Sequence, residues 1–207
     1  MQEPEIKRAV AFFDGQNLYR HAKEAFGHHH PNYDPIKLTN AVCATRGWIN
    51  QGVRFYTGTP SAKKAPAWHS YWANRLLAMR RAGILVVDRH IRYREETFTC
   101  KHGDEHKFDV PQEKGIDVRL ALDVVRLTRA NQLDVALIFS QDQDLCEVAD
   151  DVREIADSQG RWIKMVSAFP AGPDASSVRG INKTDWFKLD QTFYDACLDP
   201  HDYRPQH

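Results

Sequence analysis

Apolar residues in this chain come in short unbroken runs, separated by longer stretches with helical spacing. Residues 9–13, 53–58, 84–88, 135–140 and 162–168 are nearly all apolar. Runs of this length predict buried strands, because strands covered on both faces lose the alternation of a half-exposed sheet. Helical patterns occupy residues 16–26, 35–47, 66–81, 117–129 and 143–157. In the last of these, Leu145, Val148, Ala149, Val152, Ile155 and Ala156 keep i, i+3, i+4, i+7 spacing. Asp34-Pro35 opens the second with a cap residue and a proline at the first helical position. In 66–81, Trp68, Trp72, Leu76 and Met79 share one face, and Trp68, Tyr71 and Trp72 are read as core in preference to a base-stacking platform. Residues 117–129 are apolar almost all round, which predicts a helix buried on most sides. Strands alternating with helices predict an α/β fold, with a parallel sheet of about five strands between two helical layers.

Two regions break the rhythm. Residues 89–113 predict an irregular hairpin or flap. Residues 169–184, rich in Pro, Gly, Ser and Asp, predict a long mobile loop. After it come a short strand near 186–189 and a turn or helix over 191–197. The division is therefore one domain over 1–168, with 89–113 as an insertion, and an extension over 169–207 packed on it.

Composition narrows the class. The chain has 207 residues, 42% of them hydrophobic. No apolar run approaches the ~18 residues that span a bilayer, and the N-terminal segment lacks a signal-peptide pattern. Cys43, Cys100, Cys146 and Cys197 are widely spaced, which predicts free thiols in a reducing cytoplasm. Lys+Arg and Asp+Glu are 28 each. Equal totals exclude a global basic field, so any nucleic-acid surface must be local.

The chemistry concentrates in three acidic stretches: FFDGQNLY (12–19), EKGIDVRLALD (113–123) and FSQDQDL (139–145). The first and third come directly after predicted strands, and carboxylates at strand carboxyl ends can converge in one crevice. Clustered carboxylates repel unless a cation joins them, and hard oxygen donors suit Mg²⁺ or Mn²⁺. Simpler readings compete. Asp14 and Asp117 can cap the helices that start beside them. Ser140 and Gln143 match a capping box, and Arg119, Asp123 and Arg126 form a helical charge ladder. Gly15 would let backbone approach a ligand. Asn17 would hold a water or phosphate oxygen, and Lys114 would place an ammonium beside a phosphate. Arg92 and Arg94 alternate with Tyr93, so an extended segment there would offer a phosphate-contacting ribbon or a charge-protected edge. Cys100, His102 and His106 have a metal-like spacing but lack the paired motifs of a zinc site.

Taken together, DGQNLY, EKGIDVRLALD and SQDQDL resemble the signatures of the NYN domain, a LabA-like branch of the PIN-like nuclease superfamily. The match runs over roughly residues 8–168, and the tail INKTDWFKLDQTFYDACLDPHDYRP is similar to the segment after the domain in bacterial members. The resemblance implies a Rossmann-like three-layer sandwich with strand order 3-2-1-4-5. It also implies an acidic Mg²⁺ or Mn²⁺ site and RNA as substrate. Mapped by motif, Asp14, Asp117, Asp123, Asp142 and Asp144 become metal ligands. The resemblance and the residue patterns together lead us to expect Asn17 and Lys114 beside Asp14, Asp117, Asp142 and Asp144 in catalysis, and Arg92, Arg94, Lys114 and Ser140 in contact with RNA. One departure is Gln141, where the family usually has Gly; a larger residue there would narrow the site or alter the turn.

The expected function is a metal-dependent ribonuclease, with RNA as partner, no membrane, and a homodimer as a candidate assembly. The alternative is a catalytically weak RNA- or protein-binding module on the same fold. A phosphohydrolase with an Asp nucleophile ranks lower, because no D-x-D stands directly after the first strand.

Overall fold

The computed structural model describes residues 1–102, 104–173, 175 and 177–205. In chain order the strands are β1 (Lys7–Asp14), β2 (Trp48–Thr59), β3 (Leu85–His90), β4 (Arg92–Thr99), β5 (Glu105–Gln112), β6 (Val135–Phe139), β7 (Lys164–Pro170) and β8 (Asp185–Leu189). The helices are α1 (Gly15–Phe26), α2 (Pro35–Arg46), α3 (Pro66–Arg81), α4 (Ile116–Arg129), α5 (Cys146–Gln159) and the short α6 (Gln191–Asp195). Six strands form one sheet in the order β3-β2-β1-β6-β7-β8, with every pairing parallel. The expected 3-2-1-4-5 order is present. A sixth strand, β8, extends it, because the tail segment runs alongside β7 instead of lying apart.

The central strands are apolar throughout for the reason the pattern suggested. Ala9, Ala11 and Phe13 of β1 pack into one core with Leu18 of α1, Leu38 of α2 and Trp72 of α3. Val10 and Phe12 point the other way, into a second core with Leu120 and Val124 of α4 and Val148 and Val152 of α5. Burying such side chains contributes roughly 1.5–3 kcal/mol each. Phe13 stacks on Phe139 of the neighbouring β6, with ring centroids 4.0 Å apart. Tyr194 and Cys197, at and just beyond α6, join the first core. Residues 185–197 are therefore structural parts of the sheet and its cover.

Residues 92–112 form the expected hairpin, a two-stranded antiparallel ribbon of β4 and β5 outside the main sheet. Two expectations change. Helix α4 is not buried on most sides: Val118 and Leu122 are exposed, since only one face meets the sheet. The loop before β8 is tied down where it is described. Gln141 Nε2 donates to the carbonyls of Arg179 (2.7 Å) and Ser177 (3.3 Å), and Gln143 Nε2 donates to that of Gly180 at 3.0 Å. Positions 174 and 176, within the stretch read as mobile, lie outside the described residues.

Candidate active site

Strand register brings the first and third motifs together. Phe13 pairs with Phe139, so Asp14 and Ser140 lie level at the carboxyl ends of adjacent parallel strands. Asp14 caps α1, accepting from the Asn17 N–H at 3.1 Å, while the Ser140 hydroxyl donates to its other oxygen at 3.2 Å. The capping and functional readings of Asp14 thus hold together. Asn17 Oδ1 accepts from the Gln141 N–H at 3.0 Å, which locks the turn after β6 to α1. Asp142 caps the 3₁₀ turn Gln143–Leu145 by accepting from the Asp144 N–H at 3.1 Å. Asp117 is in the first turn of α4, whose cap is Gly115. Asp14, Asp117 and Asp142 line one cleft of about 680 Å³, together with Glu113.

Two of the acids in that cleft, Asp14 and Glu113, are poorly solvated. Burial pushes the Asp14 carboxyl up to about 6, with further upward pressure from Asp142 and Asp117 and partial relief from the Asn17 and Ser140 hydrogen bonds. Burial also raises Glu113 to about 7, helped by the charges of Asp14 and Asp117 and opposed by the Gly58 N–H. Glu113 Oε2 is buried without a hydrogen-bond partner. It packs so closely on Gly58 that a side chain there would collide with it. An orphaned carboxylate oxygen beside a second buried carboxylate has the donor chemistry of a hard divalent cation site. Among the described residues, however, no three His, Cys, Asp or Glu side chains stand close enough to share one ion.

Several expected site residues take other places. Asp144 is exposed and outside the cleft lining, because the 3₁₀ turn directs Asp142 inward in its stead. Asp123 is not positioned as a ligand. It is 1% exposed, and its oxygens accept from Arg126 Nη2 (2.7 Å), Tyr56 Oη (2.9 Å) and Arg119 Nε (3.1 Å), with Arg54 Nη1 at 3.7 Å. Those donors occupy its lone pairs, so the charge ladder is a buried anchor. Lys114 faces away from the acids. Glu113 lines the acidic cleft and Lys114 a neighbouring one beside Arg89 and Arg92, before Gly115 (φ 73°) opens α4. Ser140 is buried, its hydroxyl committed to Asp14 and to the Asp142 N–H at 3.1 Å, so it positions an acid and does not offer itself to RNA. Arg92 and Arg94 are exposed on β4, while Tyr93 between them accepts from the Ser61 N–H at 3.2 Å.

Other expectations resolve similarly. The capping box is not formed, because Gln143 reaches the carbonyls of Gln141 and Gly180. Gly15 serves packing, since a side chain there would meet the Phe55 ring at 2.7 Å. Gln141 is buried and points toward the 177–179 loop, so it does not narrow the cleft. Cys100 is near the hairpin tip, its thiol 3.8 Å from Asp104, and no shared metal geometry with His102 and His106 is present among the described residues.

Two cleft residues, Glu113 and Arg20, escaped the sequence reading, and a third, Trp68, was read there as core. Glu113 opens the EKGID stretch and could have been singled out as a further acid beside Asp117. Arg20 is the sole cationic residue lining the cleft among the described residues. It falls one turn after Asn17, but nothing in its neighbours marks it. Trp68 belongs to an apolar helical face yet is 39% exposed at the cleft.

Comparison with known proteins bears on the fold and the family. No curated protein matches the chain. A crystal structure of a protein of unknown function, VPA0982 from Vibrio parahaemolyticus RIMD 2210633, is similar in fold. Its TM-score is 0.54 at 17% identity, over 92% of this chain and 98% of that one. Ribokinase from Giardia lamblia superposes with a TM-score of 0.37 at 7% identity, over 79% of this chain and 51% of that one. No helix among the described residues is long and apolar enough to cross a membrane. The NYN domain model matches residues 8–176, and the chain belongs to the NYN domain family, within the PIN-like nuclease superfamily.

Proposed function

We propose that this protein is a metal-dependent ribonuclease whose active site is the cleft holding Asp14, Glu113, Asp117 and Asp142. One observation carries the reading: Glu113 Oε2, buried and unpaired, faces an environment already crowded by the Asp14 and Asp117 charges. A protein that excludes water from such carboxylates gains nothing for its own stability, and the arrangement suits a cation and a phosphate. Family membership supports nuclease chemistry in general. Drawn together by the cation, Asp14, Asp117 and Asp142 would hold Mg²⁺ or Mn²⁺, which would supply charge neutralisation at phosphorus and make water there more acidic.

The chain's own residues divide the remaining work. Ser140 and the Asn17 N–H fix both oxygens of Asp14, so its orientation needs no reorganisation when substrate arrives. Glu113, with its carboxyl near neutrality, can take a proton from an attacking water or return one to a leaving oxygen. Arg89, Arg92 and Lys114, in the adjoining cleft, hold phosphates on one side of the scissile bond. A specific observation favours a second reading, RNA or protein binding without turnover: among the described residues the carboxylates are not grouped tightly enough to share an ion. Neither reading requires a homodimer.

Incubating the purified protein with end-labelled RNA in Mn²⁺, Mg²⁺ or EDTA decides between them. The nuclease reading expects cleavage that EDTA stops and that Asp14→Asn lowers by at least ~10²-fold. Intact RNA in every metal, with retained binding, establishes the binding module.

A further inference from the structure

The acidic cleft has a lining of different chemistry as well. Besides the carboxylates it is lined by Trp68, Trp72 and Arg20. Trp72 is buried, as a core residue should be, but Trp68 is 39% exposed. Its ring is held in place. Tyr71 meets it edge-on, with centroids 5.5 Å apart and planes at 76°, and His30 lies at 5.6 Å. On its other side Trp68 borders a separate hollow of about 530 Å³. The indole thus borders two hollows, fixed by neighbours that leave 39% of the residue exposed. Arg20 lines the same cleft, its guanidinium 3.4 Å from His21 Nε2.

We infer that Trp68 is a stacking platform for an unpaired nucleobase, with Arg20 holding an adjacent phosphate. This rests on the ribonuclease reading of the same cleft. A fixed aromatic face takes any base, because every base has a π-face, and an exposed tryptophan gives up few contacts in doing so. A base inside a duplex has both faces covered by its neighbours and cannot use the platform. The acids supply chemistry but repel phosphate, and the chain has no global positive field to offset this. Stacking and one local cation provide grip that does not depend on net charge. The basic patch of Arg89, Arg92 and Lys114, in a separate cleft, then offers further phosphate contacts.

The test measures binding of fluorescein-labelled single-stranded RNA of about ten nucleotides to the full chain by anisotropy. Ca²⁺ replaces Mg²⁺, and strand integrity is checked on a gel. Each protein is tested with an ordinary strand, a strand carrying abasic sites, and a duplex of equal length. Trp68→Ala is expected to weaken the ordinary strand ~5- to ~100-fold, and Trp68→Phe to recover most of that loss. The parent should discriminate against the abasic strand and the duplex, while Trp68→Ala should bind abasic and ordinary strands alike. Unchanged affinity in Trp68→Ala overturns the platform. So does an equal loss on both strands, which would mean only structural damage, or a parent that ignores abasic sites or binds no RNA. A cleavage assay in Mn²⁺ on the same variants separates the two ideas. RNA bound through Trp68 but never cut defeats the ribonuclease reading alone. RNA cut equally well without Trp68 defeats the platform alone.

Discussion

Glu113 and Asp14 show how a site stores unfavourable electrostatics until its ligand arrives. Both carboxyls are raised, to about 7 and about 6, from ordinary values of 4.5 and 3.8. A raised carboxyl favours the folded state while protonated, so its contribution is full below the unfolded pKa and is lost as pH climbs through the folded one. In metal-free buffer, stability should therefore fall between pH ~4 and pH ~7, by at most on the order of 3 kcal/mol for each group. His21, lowered by burial, runs the other way, so the difference between parent and variant is the cleaner quantity. Glu113→Gln should match the parent at pH 5 and exceed it at pH 8 in EDTA, as read by urea denaturation at both values. Equal stability at pH 8 would mean that Glu113 is not charged and strained there. Asp123 gives a contrasting prediction. Asp123→Asn leaves Arg54, Arg119 and Arg126 without their common anion, and should cost about 2 kcal/mol while leaving the Mn²⁺ concentration for half-maximal effect unchanged. A large loss of metal response at intact stability would restore Asp123 as a ligand. Spacing alone could place Asp123 on a helix face, but its burial depends on Tyr56 and Arg54, which lie more than 60 residues away in sequence.

Among the elements, the strands and helices were legible because each carries its own period. The runs at 9–13 and 135–140 became the fully buried β1 and β6, since nothing but apolar side chains fits between two helical layers. Elements whose role depends on distant partners were not legible. The S-x-x-Q pattern promised a capping box, yet Gln143 is drawn to Gly180, and Gln141 to Arg179, both nearly forty residues on. These two glutamines pin the loop that leads into β8. Gln141→Gly, the usual family residue, removes two hydrogen bonds and should cost ~1–2 kcal/mol. It should also speed tryptic cleavage at Arg179 with little change in catalysis. If the proteolysis rate stays the same, the loop is held by its other contacts, such as the bond from the Trp186 indole to the Ile181 carbonyl. The helix face of α3 was only partly legible. Tyr71 and Trp72 are core as expected, while Trp68, on the same stripe, comes to the surface because the cleft opens beside it.

Across the whole molecule, topology explains why the acids meet. β1 lies between β2 and β6, so the chain runs outward to β3 on one side and to β8 on the other. The carboxyl end of β1 is the switch point where such sheets open a crevice, and Asp14 stands there. The same neutral chain then arranges charge locally, with acids in one cleft and Arg89, Arg92 and Lys114 in the next. Replacing Arg92 and Arg94 together by Ala should weaken RNA binding and reduce its salt slope by about one unit per lost phosphate contact. Turnover at saturating RNA should change much less. An unchanged slope would make the ribbon an edge protected by charge and nothing more. The central claim is that the acidic cleft hydrolyses RNA by attack of water on phosphorus, and the end groups of the product report this most directly. RNA cut by the parent in Mn²⁺ should carry 5′-phosphate and 3′-hydroxyl ends, with no such product from Asp14→Asn. Products ending in 2′,3′-cyclic phosphate, or the same cleavage by Asp14→Asn, would contradict it.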